Sequence, residues 1–221
     1  MWFILIKDKK FIYFALIFLF VSMALNFPFP HESPYGETVA LVLNIPVESV
    51  NGLQYKGITS LIFLIMSLFF LVKSLEKYHG RFVVLAIMVA MSTPPFLASS
   101  FQKYIATGIY AISYERDLSS CSFEMTNETT LHGECELPFE NYSKDDAQFT
   151  IEFFDEYEDD VKMISLMNTD SPYEVRLRGK ERKRVKIDTD IDVSQMESHI
   201  ESGDSWNMNI IIKSGERIRK L

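Results

Sequence analysis

The sequence predicts a chain in two parts: a membrane-embedded helical part, residues 1–114, followed by an all-β sandwich, residues 115–221. Three observations carry this. Charge is unevenly placed: of the 30 acidic residues 25 lie from Glu115 onward, as do 14 of the 22 basic ones, so the first half is nearly free of charge. That same half holds three long apolar runs. The second half alternates apolar and polar residues in short runs separated by turn formers. A composition break of this kind separates a membrane part from a soluble part. The soluble part is acidic, which argues against nucleic acid as a partner, because phosphates require a basic footprint.

The first apolar run is FIYFALIFLFVSMALNFPFP, residues 11–30; the second is GITSLIFLIMSLFFLV, residues 57–72, a little short and extended by its flanks to a span of about 55–74; the third is FVVLAIMVAMSTPPFLASSFQ, residues 82–102. A bilayer span needs roughly 20 mostly apolar residues whose backbone groups are all bonded internally. Each run meets that need, the second with the aliphatic stems of Lys56 and Lys73 reaching outward at its ends. Ser22-Met23-Ala24 resembles a small-x-small cleavage site, but the apolar opening MWFILI and the continuation through Phe27 favour a retained span over a signal peptide. Pro94-Pro95 predicts a kink or break in the third run, with the helix ending near the outer interface and resuming beyond it. No ionisable residue sits within an apolar core, which weighs against an ion or proton pathway.

The flanks set the orientation. Lys7, Lys9 and Lys10 precede the first run, and Lys73, Lys77 and Arg81 lie between the second and third. The loop 31–56 holds Lys56 against Glu32, Glu37 and Glu48. The positive-inside rule then places the N-terminus in the cytoplasm and both this loop and the sandwich outside. The stretch GETVALVLNIPVESV, residues 36–50, is apolar yet outside, and reads as a segment lying on the membrane or under the sandwich.

An extracytoplasmic location gives Cys121 and Cys135 a setting in which disulfides persist. Cys121, Phe123 and Met125 alternate with polar residues, as do Leu131, Gly133, Cys135, Leu137 and Phe139. The two runs flank TNETT, so a hairpin centred on Glu128 sets Met125 opposite Leu131, Phe123 opposite Gly133, and Cys121 opposite Cys135. Cβ atoms of opposed residues lie about 4.5–5.5 Å apart, within easy closure of a disulfide. Such a bond contributes about 3 kcal/mol in the chain-entropy description.

Further strands follow. Ala147, Phe149, Ile151 and Phe153 share one face; VKMISLM, residues 161–167, reads as another short strand; Val175 and Leu177 face inward between Arg176 and Arg178. Val185, Ile187, Thr189, Ile191 and Val193 alternate with Lys186, Asp188, Asp190 and Asp192, and WNMNIIIK sends Trp206, Met208, Ile210 and Ile212 to one side. Turns are expected at 141–143, 155–160, 168–172, 179–181 and 201–204. About seven short strands at this spacing predict an antiparallel β-sandwich of immunoglobulin-like type. The stretch VRLRGKERKRVKI resembles the hairpin that extracellular sandwiches carry, with apolar strand residues flanking a Gly-containing charged turn.

Chemistry-bearing patterns are few. Asp188, Asp190 and Asp192 spread along a strand instead of wrapping an ion, and lack the Gly and Glu spacing of a calcium loop. The acidic turn 155–160 reads as a solvated tip. His31, His79, His132 and His199 have no metal-ligand spacing, and no nucleophile elbow, phosphate loop or zinc-protease motif occurs. No catalytic, cofactor or metal residue is therefore assigned. The charge feature that stands out is basic: Arg176, Arg178, Lys180, Arg182, Lys183, Arg184 and Lys186 form a candidate anion or partner patch. Asn127 and Asn141 head glycosylation-type triplets. The reading is a non-enzymatic, multi-pass membrane protein that presents a disulfide-pinned sandwich to a membrane-protein or envelope partner. Its rivals are an accessory subunit of a transport or secretion complex, and an envelope enzyme whose site only the fold assembles.

Overall fold

A computed structural model of the chain describes residues 6–30, 55–155, 163–196 and 200–221, which fall into two compact units, Met1–Ser100 and Phe101–Leu221. Residues 31–54 of the expected outer loop, with His31 and the apolar stretch 36–50, lie outside the described residues, as do 156–160 of the acidic turn and His199.

In the first unit, Asp8 opens helix α1, Lys9–Leu25, by accepting the Lys10 N–H at 2.8 Å. The last helical residue, Leu25, falls five residues short of the expected span end, and Asn26 caps the helix. The Asn26 side chain donates to the Ser22 carbonyl at 2.9 Å, and Pro28 and Pro30 cannot continue the ladder. Helix α2 is Tyr55–Ser74, as the second apolar run predicts. Helix α3, His79–Tyr104, contains the third. Among the described residues two helices, α3 and α2 from Gly57 on, are long and apolar enough to cross a membrane. The expected break at Pro94-Pro95 is absent, for α3 runs through both prolines. Proline's φ is already helical, so the pair deletes two backbone bonds without bending φ away.

The α1–α2 pairing rests on small residues. Ser60, Ser67 and Ser74 recur every seven residues on α2, Ala15 and Ser22 do so on α1, and all five are buried. Small side chains let the backbones approach and leave hydroxyls to bridge them. The Ser67 hydroxyl donates to the Ala15 carbonyl at 2.8 Å, and Ser22 and Ser60 share a hydroxyl pair at 3.2 Å. Phe18 stacks between Phe63 and Phe70. The Lys7 N–H donates to the Ser74 carbonyl at 2.7 Å, so the start of α1 meets the end of α2. Phe14, Leu16, Ile17, Phe20, Leu61 and Ile65 point outward.

The second unit is two layers of antiparallel sheet. A one-turn 3-10 helix, Gly108–Ala111, leads into strand β1, Ile112–Tyr114. Then come β2 (Ser120–Met125), β3 (Thr130–Asn141), β4 (Ala147–Phe153), β5 (Tyr173–Leu177), β6 (Arg182–Asp192), β7 (Ser202–Trp206), β8 (Ile210–Ser214) and β9 (Arg217–Lys220). In one sheet β1 and β2 line one side of β3, β6 lines the other, and β7 pairs with β2. The other sheet runs β5-β4-β8-β9.

The β2–β3 register agrees pair for pair with the expected hairpin: Cys121↔Cys135, Phe123↔Gly133 and Met125↔Leu131. The two cysteines are bonded, with Cα atoms 4.0 Å apart. That is the close spacing of a pair that exchanges no ladder hydrogen bonds. Gly133 explains its own position, since a Cβ there would sit 2.6 Å from the Met167 sulfur and 3.1 Å from the Phe123 ring. The faces read from alternation are the buried ones: Phe149, Ile151, Leu177, Ile187, Ile191, Ile210 and Ile212 pack between the sheets.

Three expectations for this second unit fail. VKMISLM is no strand in its described part: Met163–Leu166 is a helical turn, α4, continued by a 3-10 turn to Asp170, with Met167 as its one fully buried anchor. Residues 202–204 are not a turn but belong to β7. Trp206 does not point inward; it is 65% exposed. Asn207, at φ 61, breaks the alternation between Trp206 and the buried Met208.

Candidate functional site

The register of β3 against β6 decides how the basic stretch is dressed. The outward side chains of β3 are acidic where those of β6 are basic. Arg184 meets Glu136 at 3.0 Å, and Lys186 meets both Glu136 at 2.9 Å and Glu134 at 3.2 Å. Arg182 reaches Glu115 at 2.6 Å, and Arg176 on β5 meets Asp146 at 2.8 Å. The hydrogen bonds from Lys186 and Arg184 hold the Glu136 carboxyl below its ordinary range, and Glu136 and Glu134 raise the Lys186 ammonium. Asp146 is lowered in the same way, first by Arg176 and then by the Gly179 N–H. These pairs are solvent-exposed, hence weak and screened by salt. Four of the seven basic residues thus face a carboxylate. Arg178, Lys180 and Lys183 form no ion pair among the described residues.

Farther along β6, Asp188, Asp190 and Asp192 are exposed. Asp190 accepts from His132 at 2.7 Å, and Asp192 is lowered by its bonds to Ser194. His79 contacts the Leu75 carbonyl at 2.9 Å. Among the described residues no three His, Cys, Asp or Glu side chains converge as metal ligands.

At the end of the sandwich marked by Asn141, the β3–β4 and β5–β6 loops are tied together by one buried side chain. Asn141 Nδ2 donates to the carbonyls of Asp145 at 2.9 Å and Arg178 at 3.0 Å. Its Oδ1 accepts from the Ser143 N–H at 2.9 Å and the Ser143 hydroxyl at 2.8 Å. The triplet Asn141-Tyr142-Ser143 is therefore an internal turn whose amide nitrogen is sealed, whereas Asn127 is exposed at the β2–β3 tip. Gly179 permits the closest approach, because a Cβ there would lie 2.0 Å from the Lys144 carbonyl oxygen. Lys180 takes a left-handed φ of 62, sends its N–H to the Ser143 carbonyl at 3.0 Å, and bonds the Tyr142 carbonyl through Nζ.

Arg219 joins this end to the last strand. Its Nη1 donates to the carbonyls of Ile109 at 2.8 Å and Ile112 at 2.7 Å, and burial lowers its pKa to about 10, which still leaves it charged at neutral pH. The Ile112 carbonyl also accepts from Gln102 at 2.6 Å.

The sandwich's outer edge beside β2 carries what sequence reasoning missed. Trp206, at 65% exposure, sits on β7 opposite Ser120, and Leu118 in the adjoining turn is 54% exposed. Arg116 holds this corner by donating to the Asn207 carbonyl at 3.1 Å. The sequence signal available was an aromatic beside Asn-rich polar residues, which marks a turn as readily as a strand. Comparison of the chain with family models, curated proteins and solved structures finds no match in any of the three.

Proposed function

We propose that this chain is a non-enzymatic, multi-pass membrane protein that holds a disulfide-pinned, immunoglobulin-like sandwich at the outer membrane face, where its β7 edge docks a membrane-protein or envelope partner. The observation that carries the docking is Trp206. A tryptophan left largely in water on an edge strand, in a domain whose other large apolar side chains are mostly buried, is the kind of residue that anchors interfaces. An edge strand also offers unpaired backbone groups to an incoming strand.

The topology has its own support. The start of α1 and the end of α2 meet, which gathers Lys7, Lys9 and Lys10 with Lys73 and Lys77 at one end of the pair. The disulfide suits an oxidising compartment. An immunoglobulin-like reading is supported by the pairing. Taking β2, β3, β4, β6, β8 and β9 as strands A, B, C, E, F and G gives A–B–E in one sheet and C–F–G in the other. The departures are β1, a short strand beside B on the same side as A, β5, beside C instead of E, and β7, added outside A.

The test places a membrane-impermeant, photo-crosslinking maleimide on Ser202→Cys in intact cells, with Lys77→Cys as the opposite-side control. The expected result is labelling of the first variant alone and, on irradiation, one defined adduct that Trp206→Ser abolishes. Labelling of Lys77→Cys but not Ser202→Cys overturns the orientation. An adduct pattern indifferent to Trp206→Ser overturns the docking edge.

A further inference from the structure

We propose that the cleft between residues 103–107 and the two loops tied by Asn141 seats the phosphate of an anionic phospholipid from the leaflet α3 enters. The inference rests on the membrane-anchored reading above, but on none of the residues of the β7 edge.

The cleft has a volume of about 320 Å³ and is lined by Lys103, Thr107, Ser143, Lys144, Asp145 and Lys180, among others. Three ammonium groups face one carboxylate, that of Asp145. The hydroxyls of Thr107 and Ser143 add polar lining. The Ser143 hydroxyl already serves Asn141 and the Asp145 carbonyl. Lys103 and Lys144 take no ion pair among the described residues, and Lys180 Nζ is held by a neutral acceptor, the Tyr142 carbonyl. Three positive charges thus line the cleft against the single carboxylate of Asp145, with none of the three in an ion pair among the described residues. The basic residues on β6, in contrast, largely answer the carboxylates of β3 and Glu115.

The cleft is built ahead of any ligand. Asn141 bonds both loops, Gly179 lies against the Lys144 carbonyl, and the Lys180 N–H is bonded to Ser143. A lysine on such a frame loses less freedom on meeting an anion than one on a free loop.

What selects a lipid headgroup over other anions is where the cleft wall comes from. Lys103 and Tyr104 are the final residues of α3. At about 1.5 Å rise per residue its 26 residues extend roughly 39 Å, beyond the roughly 30 Å of hydrocarbon a bilayer presents. The last turn of that helix thus reaches headgroup depth. It carries there an exposed tyrosine, Tyr104 at 77%, followed by Ile105 at 68%. An amphipathic ring with an aliphatic neighbour and a lysine is the composition of an interfacial belt.

The test uses the full chain in mild detergent, with retained lipid counted by native mass spectrometry after addition of phosphatidylglycerol or phosphatidylcholine. The wild type is expected to retain phosphatidylglycerol preferentially at low salt. The double variant Lys103→Gln/Lys144→Gln removes two charges without touching the Lys180 turn. At about fivefold per lysine near an anionic surface, it weakens retention about 25-fold. Lys183→Gln, a neutralisation on β6 away from the cleft lining, leaves retention unchanged, as does Trp206→Ser. Equal retention of the two lipids by the wild type overturns the proposal, and so does a double variant that retains as much as the wild type or a Lys183→Gln loss of equal size. Inorganic phosphate that displaces phosphatidylglycerol at millimolar concentration overturns the lipid assignment. Because Trp206→Ser belongs to the other test, the docking edge and the lipid seat fail separately.

Discussion

Replacing Asn141 by alanine removes the side chain that ties two loops and the end of β3 into one unit. Four hydrogen bonds go with it: two donated to the Asp145 and Arg178 carbonyls, two accepted from Ser143. Not all the partners are orphaned. The Asp145 carbonyl keeps the Ser143 hydroxyl at 2.7 Å, and the Arg178 carbonyl keeps the Glu181 N–H at 3.1 Å. The Ser143 N–H loses the acceptor that Asn141 supplied, in a place where Ser143 is 8% exposed. At about 1 kcal/mol net per bond, with the unsatisfied amide offsetting the two rescued carbonyls, Asn141→Ala costs about 3–4 kcal/mol. Pulse proteolysis of the full chain in mild detergent across a urea series reads this directly. With a urea slope of about 1.5 kcal/mol per molar, the midpoint falls by roughly 2 M. Asn141→Asp keeps the acceptor but turns a carboxylate toward two carbonyls, and is destabilised at least as far. A midpoint shift below about 0.5 M for Asn141→Ala refutes the reasoning and leaves Gly179 packing as what holds the loops.

Two further outcomes follow from geometry already given. Reducing the Cys121–Cys135 bond, or replacing both by serine, lowers stability by about 3 kcal/mol, read as a lower urea midpoint under dithiothreitol; an unchanged midpoint shows that the ladder alone secures the hairpin. Glu136 and Asp146 have folded-state pKa values below their ordinary 4.5 and 3.8, so their contribution is complete above those values and is lost as pH falls through the lower folded ones. The urea midpoint therefore stays level in this respect from neutral pH down to about pH 5 and drops below about pH 4. Glu136→Gln with Asp146→Asn flattens part of that acid limb; an identical limb counts against the pairs.

What was legible in the sequence was what local alternation encodes. Gly133 opposite Phe123, the cysteine pair, and the inward faces of β4, β5 and β6 follow from period-two patterning about one turn. The second and third apolar runs were legible by length and composition alone. Some of the failures depend on partners distant in sequence and others on local ambiguity. SGDSW has no apolar alternation because β7 is an edge strand secured by backbone pairing with β2, so polarity there reads as a turn. Short apolar runs do not distinguish strand from helix, and VKMISLM buries one methionine over Gly133 through a helical turn. The seven basic residues looked continuous along the chain, yet the β3 register divides them, and only the fold brings Lys103 and Lys144 beside Lys180. The serine repeat on α2 was readable by its spacing of seven, but its meaning required the matching Ala15 and Ser22 on α1.

That serine seam also bears on how specificity is divided across the molecule. Ser22, Ser60 and Ser67 satisfy one another and backbone carbonyls, while the outward surface of the α1–α2 pair offers Phe, Leu and Ile. Under the proposed topology this hairpin is a self-contained anchoring cassette. Neighbouring proteins meet hydrocarbon there and little that could tell them which protein they have met. On that proposal the described α1–α2 pair serves as an anchor, and telling one partner from another falls to the aqueous part.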